Sequence, residues 1–391
     1  MFLFIFFIGI AKADSILINY YCDKIEFTSI QKIKIKLPGT LDDKYLVFVS
    51  DEFNKNPELQ TLSKELDSVS QKLDLCNWFK YKLIELYVKQ CFPKVKTNEQ
   101  FVFIWYLLNK QGFDARLNLG KKSVLFARME SLKGSKYNCV DVGAKRFLII
   151  SNDLLSEYYV SQLSLNGKKS LLFKLSDLKP PKLVNIQLID RKIVVRATGD
   201  SIPVKYKINK TLIDIYNDFP GLGFQYLFNV PLSDQCAQSI LPQLCLKLIT
   251  KDTVASVRNL LAFTQNVATY EADETAFGYE KPMTPEEVLY YPKSDCEDRA
   301  ALFYYLVKTF FQLPVLGLYY PQHVNIAVFL KSGSYDNIFL YKNRNYVVCE
   351  PTLIGEATLG YSNIFPRYKN PKVEVEFDPI KNPQTSKNPC K

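Results

Sequence analysis

Three residues of this chain, Cys296, His323 and Glu350, have the types and the order that thiol acyl transfer needs. A polar turn leads into an apolar-periodic stretch from Cys296 to about Phe310, which predicts a helix with the cysteine in its first turn. Unpaired backbone N–H groups and the positive end of the helix dipole favour a thiolate at such a position. Because the thiolate is the reactive form of cysteine, the sequence predicts a nucleophile at Cys296.

His323 is the only histidine among 391 residues, so imidazole chemistry is confined to one place and a multi-histidine metal site is excluded. The residues after the helix predict three successive strands: one after Pro314, one beginning next to His323, and one ending at Glu350. If these strands are antiparallel, His323 and Glu350 lie side by side. A helix packed on the same sheet would bring Cys296 to the histidine, which completes a triad of nucleophile, base and orienting carboxylate.

Each of these residues also has an ordinary structural interpretation. Cysteine is commonly a small buried apolar residue, and a strand histidine is commonly a hydrogen-bonded core residue. Three acidic side chains next to the cysteine would oppose thiolate formation if they point at it: Asp295, Glu297 and Asp298. Arg299 would offset them. The sequence leaves the directions of these side chains open.

The composition is that of a globular protein, with 47% hydrophobic and 14% aromatic residues, and the length predicts two or three domains. The net charge of +10 is spread along the chain. No helix-turn-helix, zinc-finger spacing or aromatic RNA-binding motif accompanies it, so we expect a solvated basic surface and no nucleic-acid partner. Gly-rich phosphate loops, calcium loops and cofactor motifs are also missing, so we expect neither a cofactor nor a metal.

An apolar run from Phe2 to Ile10 precedes Ala11-Lys12-Ala13, which predicts a signal peptide over residues 1–13 with cleavage near Ala13. Because no Lys or Arg precedes the run, a mature N-terminal strand is the alternative. No stretch reaches the length of about 20 apolar residues that spans a bilayer. We therefore expect an exported protein, periplasmic or secreted, whose mature chain has no integral membrane segment.

Export permits disulfides among the nine cysteines, and their odd number leaves at least one of them without a partner in the same chain. No two of them form a C-x-x-C pair, and their pairing is not deducible from sequence.

Proline and glycine mark the ends of predicted helices and strands, and the spacing of apolar residues between them predicts an α+β organisation. A linker is expected at Lys179-Pro180-Pro181-Lys182. In the first domain Tyr45 to Val49 is predicted to be a strand, and farther along Asp190-Arg191 is predicted to be a tight turn between two strands. The predicted segments are the signal peptide 1–13, an N-terminal α+β domain 14–178, a β-rich connecting region 183–230 and a catalytic domain 231–391.

A unit of helix, short turn and strand occurs from Phe101 and again from Arg299, about 200 residues later. This order favours a divergent internal duplication. The alternative is chance, because such units are common in unrelated proteins.

The segments around the three candidate residues resemble the transglutaminase-like cysteine hydrolase superfamily over about residues 250 to 365. The matching segments are Asp295-Cys296-Glu297-Asp298-Arg299-Ala300, Gln312-Leu313-Pro314, His323 and Glu350-Pro351-Thr352. Upstream, Phe277-Gly278-Tyr279-Glu280-Lys281-Pro282 and Tyr290-Tyr291-Pro292 are similar to a group of exported Bacteroidetes proteins with that domain.

The resemblance implies an α+β fold with a papain-like core, in which a helix packs on an antiparallel sheet. It assigns Cys296 as nucleophile, His323 as base and Glu350 as orienting carboxylate. The family usually has Asp where this chain has Glu350, whose extra methylene moves the carboxylate by about one bond length. This departure bears on turnover more than on fold.

The N-terminal half resembles the same superfamily more weakly. Thr97 stands where the nucleophile should open the helix, and Lys122-Ser123 stands near the position of the base. Because this half has no histidine, it would be a degenerate second copy without Cys–His chemistry, with a role in packing or substrate binding.

The expected function is that of an exported thiol hydrolase, peptidase-like or amidase-like, acting on a protein or peptide. Two alternatives stay open: a catalytically inactive binding or scaffold protein with the same fold, and a crosslinking transglutaminase with an amine acceptor. The substrate, the acyl acceptor and the oligomeric state are not determined by the sequence.

Overall fold

The computed structural model of the chain describes residues 14–94, 97–122, 124–129, 138–150, 155–165, 171–174, 177–197, 200–220, 223–331, 333–353, 357–368, 370–380 and 390. The signal peptide predicted over residues 1–13 lies outside these residues. The chain divides into two units, Met1–Asn185 and Ile186–Lys391. Both are mixed α+β, and their larger sheets are antiparallel.

Along the chain, the first unit consists of a hairpin, then four helices, then a four-stranded sheet. Its elements are β1 (Ser15–Tyr20), β2 (Asp23–Thr28), α1 (Asp43–Lys55), α2 (Pro57–Lys72), α3 (Asn77–Cys91), α4 (Thr97–Lys110), β3 (Ala115–Leu117), β4 (Leu125–Arg128), β5 (Cys139–Val142) and β6 (Lys145–Ile150).

The strand predicted at Tyr45–Val49 is wrong, because these residues lie inside helix α1. The Asp42 side chain accepts a hydrogen bond from the Tyr45 N–H at 2.7 Å and caps the helix. The apolar residues Leu46, Val49 and Phe53 are buried at intervals of three and four, which is the spacing of one helical face.

The second unit begins with a long hairpin and ends with a five-stranded sheet. Its elements are β7 (Leu188–Ala197), β8 (Asp200–Asn209), α5 (Lys210–Asn217), α6 (Phe224–Leu227), α7 (Asp234–Leu248), α8 (Thr253–Asn266), β9 (Thr269–Tyr270), α9 (Asp273–Ala276), α10 (Pro285–Tyr290), β10 (Lys293–Ser294), α11 (Cys296–Phe311), β11 (Val315–Tyr320), β12 (His323–Val328), β13 (Ile338–Tyr341), β14 (Arg344–Cys349) and β15 (Lys372–Phe377).

The tight turn predicted at Asp190-Arg191 is wrong, because both residues lie within strand β7. Asp190 is paired with Lys207 of β8, and their side chains form an ion pair at 3.0 Å. This hairpin, from the predicted connecting region, belongs to the second unit, where β8 packs against α7.

Helix α11 is the centre of the second unit. The five strands are ordered β13-β14-β12-β11-β15, and α11 covers one face of this sheet through Val324, Ile326 and Val328 of β12. Ala327 packs in a separate apolar cluster, as the alternation of side chains along a strand requires. Apolar contacts on both faces therefore fix the sheet and the start of α11.

The two units repeat one topology. Helix α4 is followed by four strands in the spatial order β3-β4-β6-β5, and helix α11 by four strands in the order β11-β12-β14-β13. Both helices end in a left-handed residue, Gly112 with φ 91° and Gln312 with φ 52°. The two units share this order of elements, and the internal duplication stays a prediction.

A pair of hydrogen bonds aligns the two copies residue by residue. The Arg128 N–H donates to the Asp114 carbonyl at 3.1 Å, and the Phe329 N–H donates to the Pro314 carbonyl at 2.9 Å. Six residues before this bond the first sequence has Lys122, which precedes β4, and the second has His323, which begins β12.

One disulfide, between Cys245 and Cys390, joins helix α7 to the end of the chain. Cys296 and Cys349 are buried thiols. None of the described helices is both long enough and apolar enough to cross a membrane.

Lys308, on α11, is buried, with its ammonium 3.3 Å from the Asn229 side-chain oxygen and above the rings of Tyr304 and Phe377. Burial lowers the pKa of Lys308 from 10.5 to about 8. Between these two pH values the unfolded chain binds more protons than the folded chain. The free energy of unfolding therefore increases with pH across that window.

We expect Lys308→Met to be more stable than wild type at pH 7 and to lose this pH dependence. The difference between the two proteins should shrink by about 3 kcal/mol as the pH rises from 7 to about 10.5. Urea unfolding at several pH values measures it, and a constant difference would contradict the prediction.

Candidate active site

Cys296 is the first residue of α11, where the sequence predicts it. The Asp298 carboxylate caps this helix end by accepting the Asp295 N–H at 3.2 Å. A second N–H, from Met283, donates to Asp298 at 2.7 Å. An acidic neighbour of the cysteine thus stabilises the start of the helix by accepting hydrogen bonds from backbone N–H groups.

The thiol of Cys296 is buried and donates a hydrogen bond to Oε2 of Glu297 at 3.1 Å. Burial, followed by the negative charges of Glu297 and Asp295, raises the pKa of the Cys296 thiol far above its usual range. The backbone N–H of Val324 acts in the opposite sense. The acidic side chains that the sequence left undirected therefore point at the sulfur, and the thiol is protonated in this arrangement.

The hydrogen bonds of Arg299 go to neutral acceptors. Its guanidinium donates to the Gln265 carbonyl at 3.1 Å, to the Ala268 carbonyl at 2.7 Å and to the Ser294 hydroxyl at 3.1 Å. The side chain is fully buried. It links the start of α11 to the end of α8, and from there its charge attracts Asp295 and Asp298.

The structure brings His323 and Glu350 together. Nε2 of the imidazole lies 2.9 Å from Oε2 and 3.1 Å from Oε1 of Glu350, and 2.8 Å from Oδ1 of Asn325. Glu350 in turn accepts a hydrogen bond from the Thr352 hydroxyl, at 2.5 Å. Strand β14 ends at Cys349, so Glu350 stands just past the edge at which β12 begins with His323.

The backbone N–H of Val324, the residue after His323, lowers the pKa of the Cys296 thiol. Strand β14 pairs with β12 only over Ile326–Val328, so Val324 lies beyond that pairing. The hydrogen bonds of His323 and Cys296 in the described part of the chain do not join these two side chains to each other. The structure thus pairs the histidine with the carboxylate and sets the cysteine beside their strand.

Burial opposes the charged form of His323, but hydrogen bonding and attraction to Glu350 outweigh it and raise the pKa of the imidazole above 6.5. The stabilisation that this pair provides is complete below the unfolded pKa and is lost as the pH rises through the folded value.

We expect Glu350→Gln to lower the pKa of His323, because the charge that favours the imidazolium is removed. Since the chain has one histidine, a single imidazole signal in an NMR titration measures the effect without assignment. Glu374→Gln, a change of the same type on β15, is the matched control and should leave the titration in place. An unchanged midpoint in Glu350→Gln would show that the contact with Glu350 does not set this pKa.

Several side chains of the site were missed in the sequence. Asn325 orients the imidazole, and its amide donates to the Ser362 hydroxyl at 2.9 Å. Gln265, near the end of α8, donates to the Glu350 carbonyl at 2.9 Å. Asn325 was discoverable, because it lies two residues after His323 on the same side of a strand. For Gln265 and Ser362, nothing in the neighbouring sequence indicates a place in the site.

Comparison with known protein families, with curated proteins and with solved structures finds no match to this chain. The resemblance to the transglutaminase-like superfamily therefore stays a prediction.

Proposed function

We propose that the second unit is a thiol hydrolase, peptidase-like or amidase-like, in which Cys296 is the nucleophile, His323 the base and Glu350 the orienting carboxylate. The observation that carries the proposal is the His323–Glu350 pair at 2.9 Å, in which His323 directly precedes Val324, the residue whose N–H favours the thiolate of Cys296. The proposed core is papain-like, with α11 packed on the antiparallel sheet.

The proposed reaction is acyl transfer. The hydrogen bonds of the imidazole use Nε2, so Nδ1 takes the thiol proton as sulfur attacks the carbonyl carbon of an amide or ester. Backbone N–H groups at the start of α11 stabilise the oxyanion. The imidazolium then protonates the leaving group, and water, deprotonated by the same imidazole, releases the acid from the thioester.

Because Glu297 holds the thiol in its protonated form, this reaction uses His323 as a general base rather than a preformed thiolate. The alkylation of Cys296 by iodoacetamide should therefore accelerate as His323 loses its proton, and His323→Ala should abolish that rise. Glu297→Gln should raise the rate in both backgrounds, since it removes a negative charge from the sulfur.

Peptide mapping by mass spectrometry gives the rate at Cys296, with Glu271→Gln as the control carboxylate. The proposal would be rejected if the alkylation rate of Cys296 had the pH profile of an ordinary thiol, with a midpoint at about 8.5, and were equal in His323→Ala.

A non-catalytic binding protein is the second candidate, and two observations favour it. The thiol bonds to Glu297. The imidazole hydrogen-bonds to Asn325. The side chain of Asn325 lies on the face of β12 away from α11, because its neighbours Val324 and Ile326 face that helix. In that case Cys296 would stay slow to alkylate at all pH values below 9.

Export is part of the proposal. N-terminal sequencing of the mature protein from its native cell should begin after Ala13, and an intact Met1 would argue against a cleaved signal peptide.

A further inference from the structure

Three buried carboxylates converge beside the start of α11. Asp273 begins helix α9, whereas Asp295 and Asp298 belong to the first turn of α11 and its cap. One oxygen of each lies within 4.8 Å of the others. The three residues are 2%, 9% and 0% exposed, so solvent does little to screen their mutual repulsion.

Two oxygens of this group have no hydrogen-bond donor in the described part of the chain: Oδ1 of Asp273 and Oδ1 of Asp295. The second oxygen of Asp273 accepts the Lys281 N–H at 2.6 Å, so the backbone fixes that carboxylate in place. A buried carboxylate oxygen without a donor is costly, and native structures supply such an atom with a proton, a water or a cation.

The ammonium groups of the nearby Lys281 and Lys293 form hydrogen bonds with other residues. The Lys281 ammonium bonds to Glu287 at 2.9 Å and to Asn217 at 2.8 Å. The Lys293 ammonium bonds to Glu271 at 2.6 Å. Across the described residues, no lysine or arginine forms an ion pair with Asp273, Asp295 or Asp298. Arg299 attracts Asp295 and Asp298, and Lys281 attracts Asp273, but neither cationic group bonds to a carboxylate of the group, so the two oxygens without donors remain open to a cation.

We propose that Asp273, Asp295 and Asp298 bind a hard divalent cation, with Ca²⁺ as the best fit. Ca²⁺ takes oxygen ligands at about 2.3–2.6 Å, so two oxygens on one ion lie at most about 5 Å apart, which these three satisfy. Mg²⁺ requires a tighter octahedron. The site uses oxygens alone and leaves the Cys296 sulfur to its own chemistry, because hard cations select carboxylates over thiols.

The test is calcium binding to the full-length protein, measured by isothermal titration calorimetry and by thermal melting. Wild type should bind one Ca²⁺, and saturating CaCl2 should raise its melting temperature by about 5 °C, because the ion binds only the folded chain. Asp273→Asn keeps the acceptor for the Lys281 N–H but should lose both effects. Glu271→Gln, a nearby carboxylate outside the group, should retain them.

Asp298→Asn provides a second ligand variant if Asp273→Asn does not fold, and it should lose the same binding. Failure of wild type to bind Ca²⁺ at millimolar concentration would overturn the site, as would calcium binding that survives both substitutions. Binding of Zn²⁺ or Cd²⁺ alone, lost in Cys296→Ser, would replace the oxygen site with a thiolate site and also reject the proposal. None of these readouts depends on hydrolase activity.

Discussion

Replacing His323 with alanine is expected to slow acyl transfer by about a thousandfold, because it removes the group that, in the proposed mechanism, takes the proton of a hydrogen-bonded neutral thiol. The effect should be this large because no second histidine exists in the chain. Glu297 already accepts the thiol hydrogen bond, yet its charge opposes the anion that must form. The proposed mechanism therefore depends on the imidazole, which is paired with Glu350, to take the proton.

p-Nitrophenyl acetate is a suitable probe, because its acetyl group would be trapped on Cys296 as a thioester before water releases it. Stopped-flow release of p-nitrophenol gives the rate of acylation, and peptide mapping places the acetyl group. Cys296→Ala should remove the acetyl-enzyme, whereas Cys139→Ala, which removes a thiol from the first unit, should not change it. Acetylation of Cys296 at an equal rate in wild type and His323→Ala would contradict the assigned role of the base.

Replacing Arg299 with methionine is expected to destabilise the second unit by about 3–5 kcal/mol. The guanidinium is fully buried and donates to three acceptors, the carbonyls of Gln265 and Ala268 and the hydroxyl of Ser294. Methionine fills a similar volume but leaves these acceptors buried without donors, and an unsatisfied buried acceptor costs more than the hydrogen bond contributes.

Urea unfolding measures the loss, and Arg258→Met on the exposed side of α8 is the matched control, for which we expect a change within about 0.5 kcal/mol. The substitution should also affect the site, since the same end of α8 holds the Glu350 carbonyl through Gln265. A loss of stability no greater than that of the control would show that the three hydrogen bonds of Arg299 contribute little.

The elements of the candidate site were accessible from the sequence. The helix predicted from Cys296 to about Phe310 is α11, and the strands predicted beside His323 and before Glu350 are β12 and β14. Proline and glycine mark the ends of these elements, and apolar spacing determines which side is buried, so local information suffices. The strand predicted at Tyr45–Val49 failed because the capping residue Asp42 and a four-residue spacing outweighed β-branched and aromatic composition.

The sequence by itself determined which residues have the chemistry: one histidine, a cysteine at a helix start and a carboxylate at a strand end. Only the tertiary structure decided how they are charged and paired. It turned Glu297 toward the sulfur, committed Arg299 to the end of α8, and brought Asp273 to Asp295 and Asp298. Backbone periodicity is local, whereas the energy of a charge depends on its distance from groups remote in the chain and on the water that burial removes.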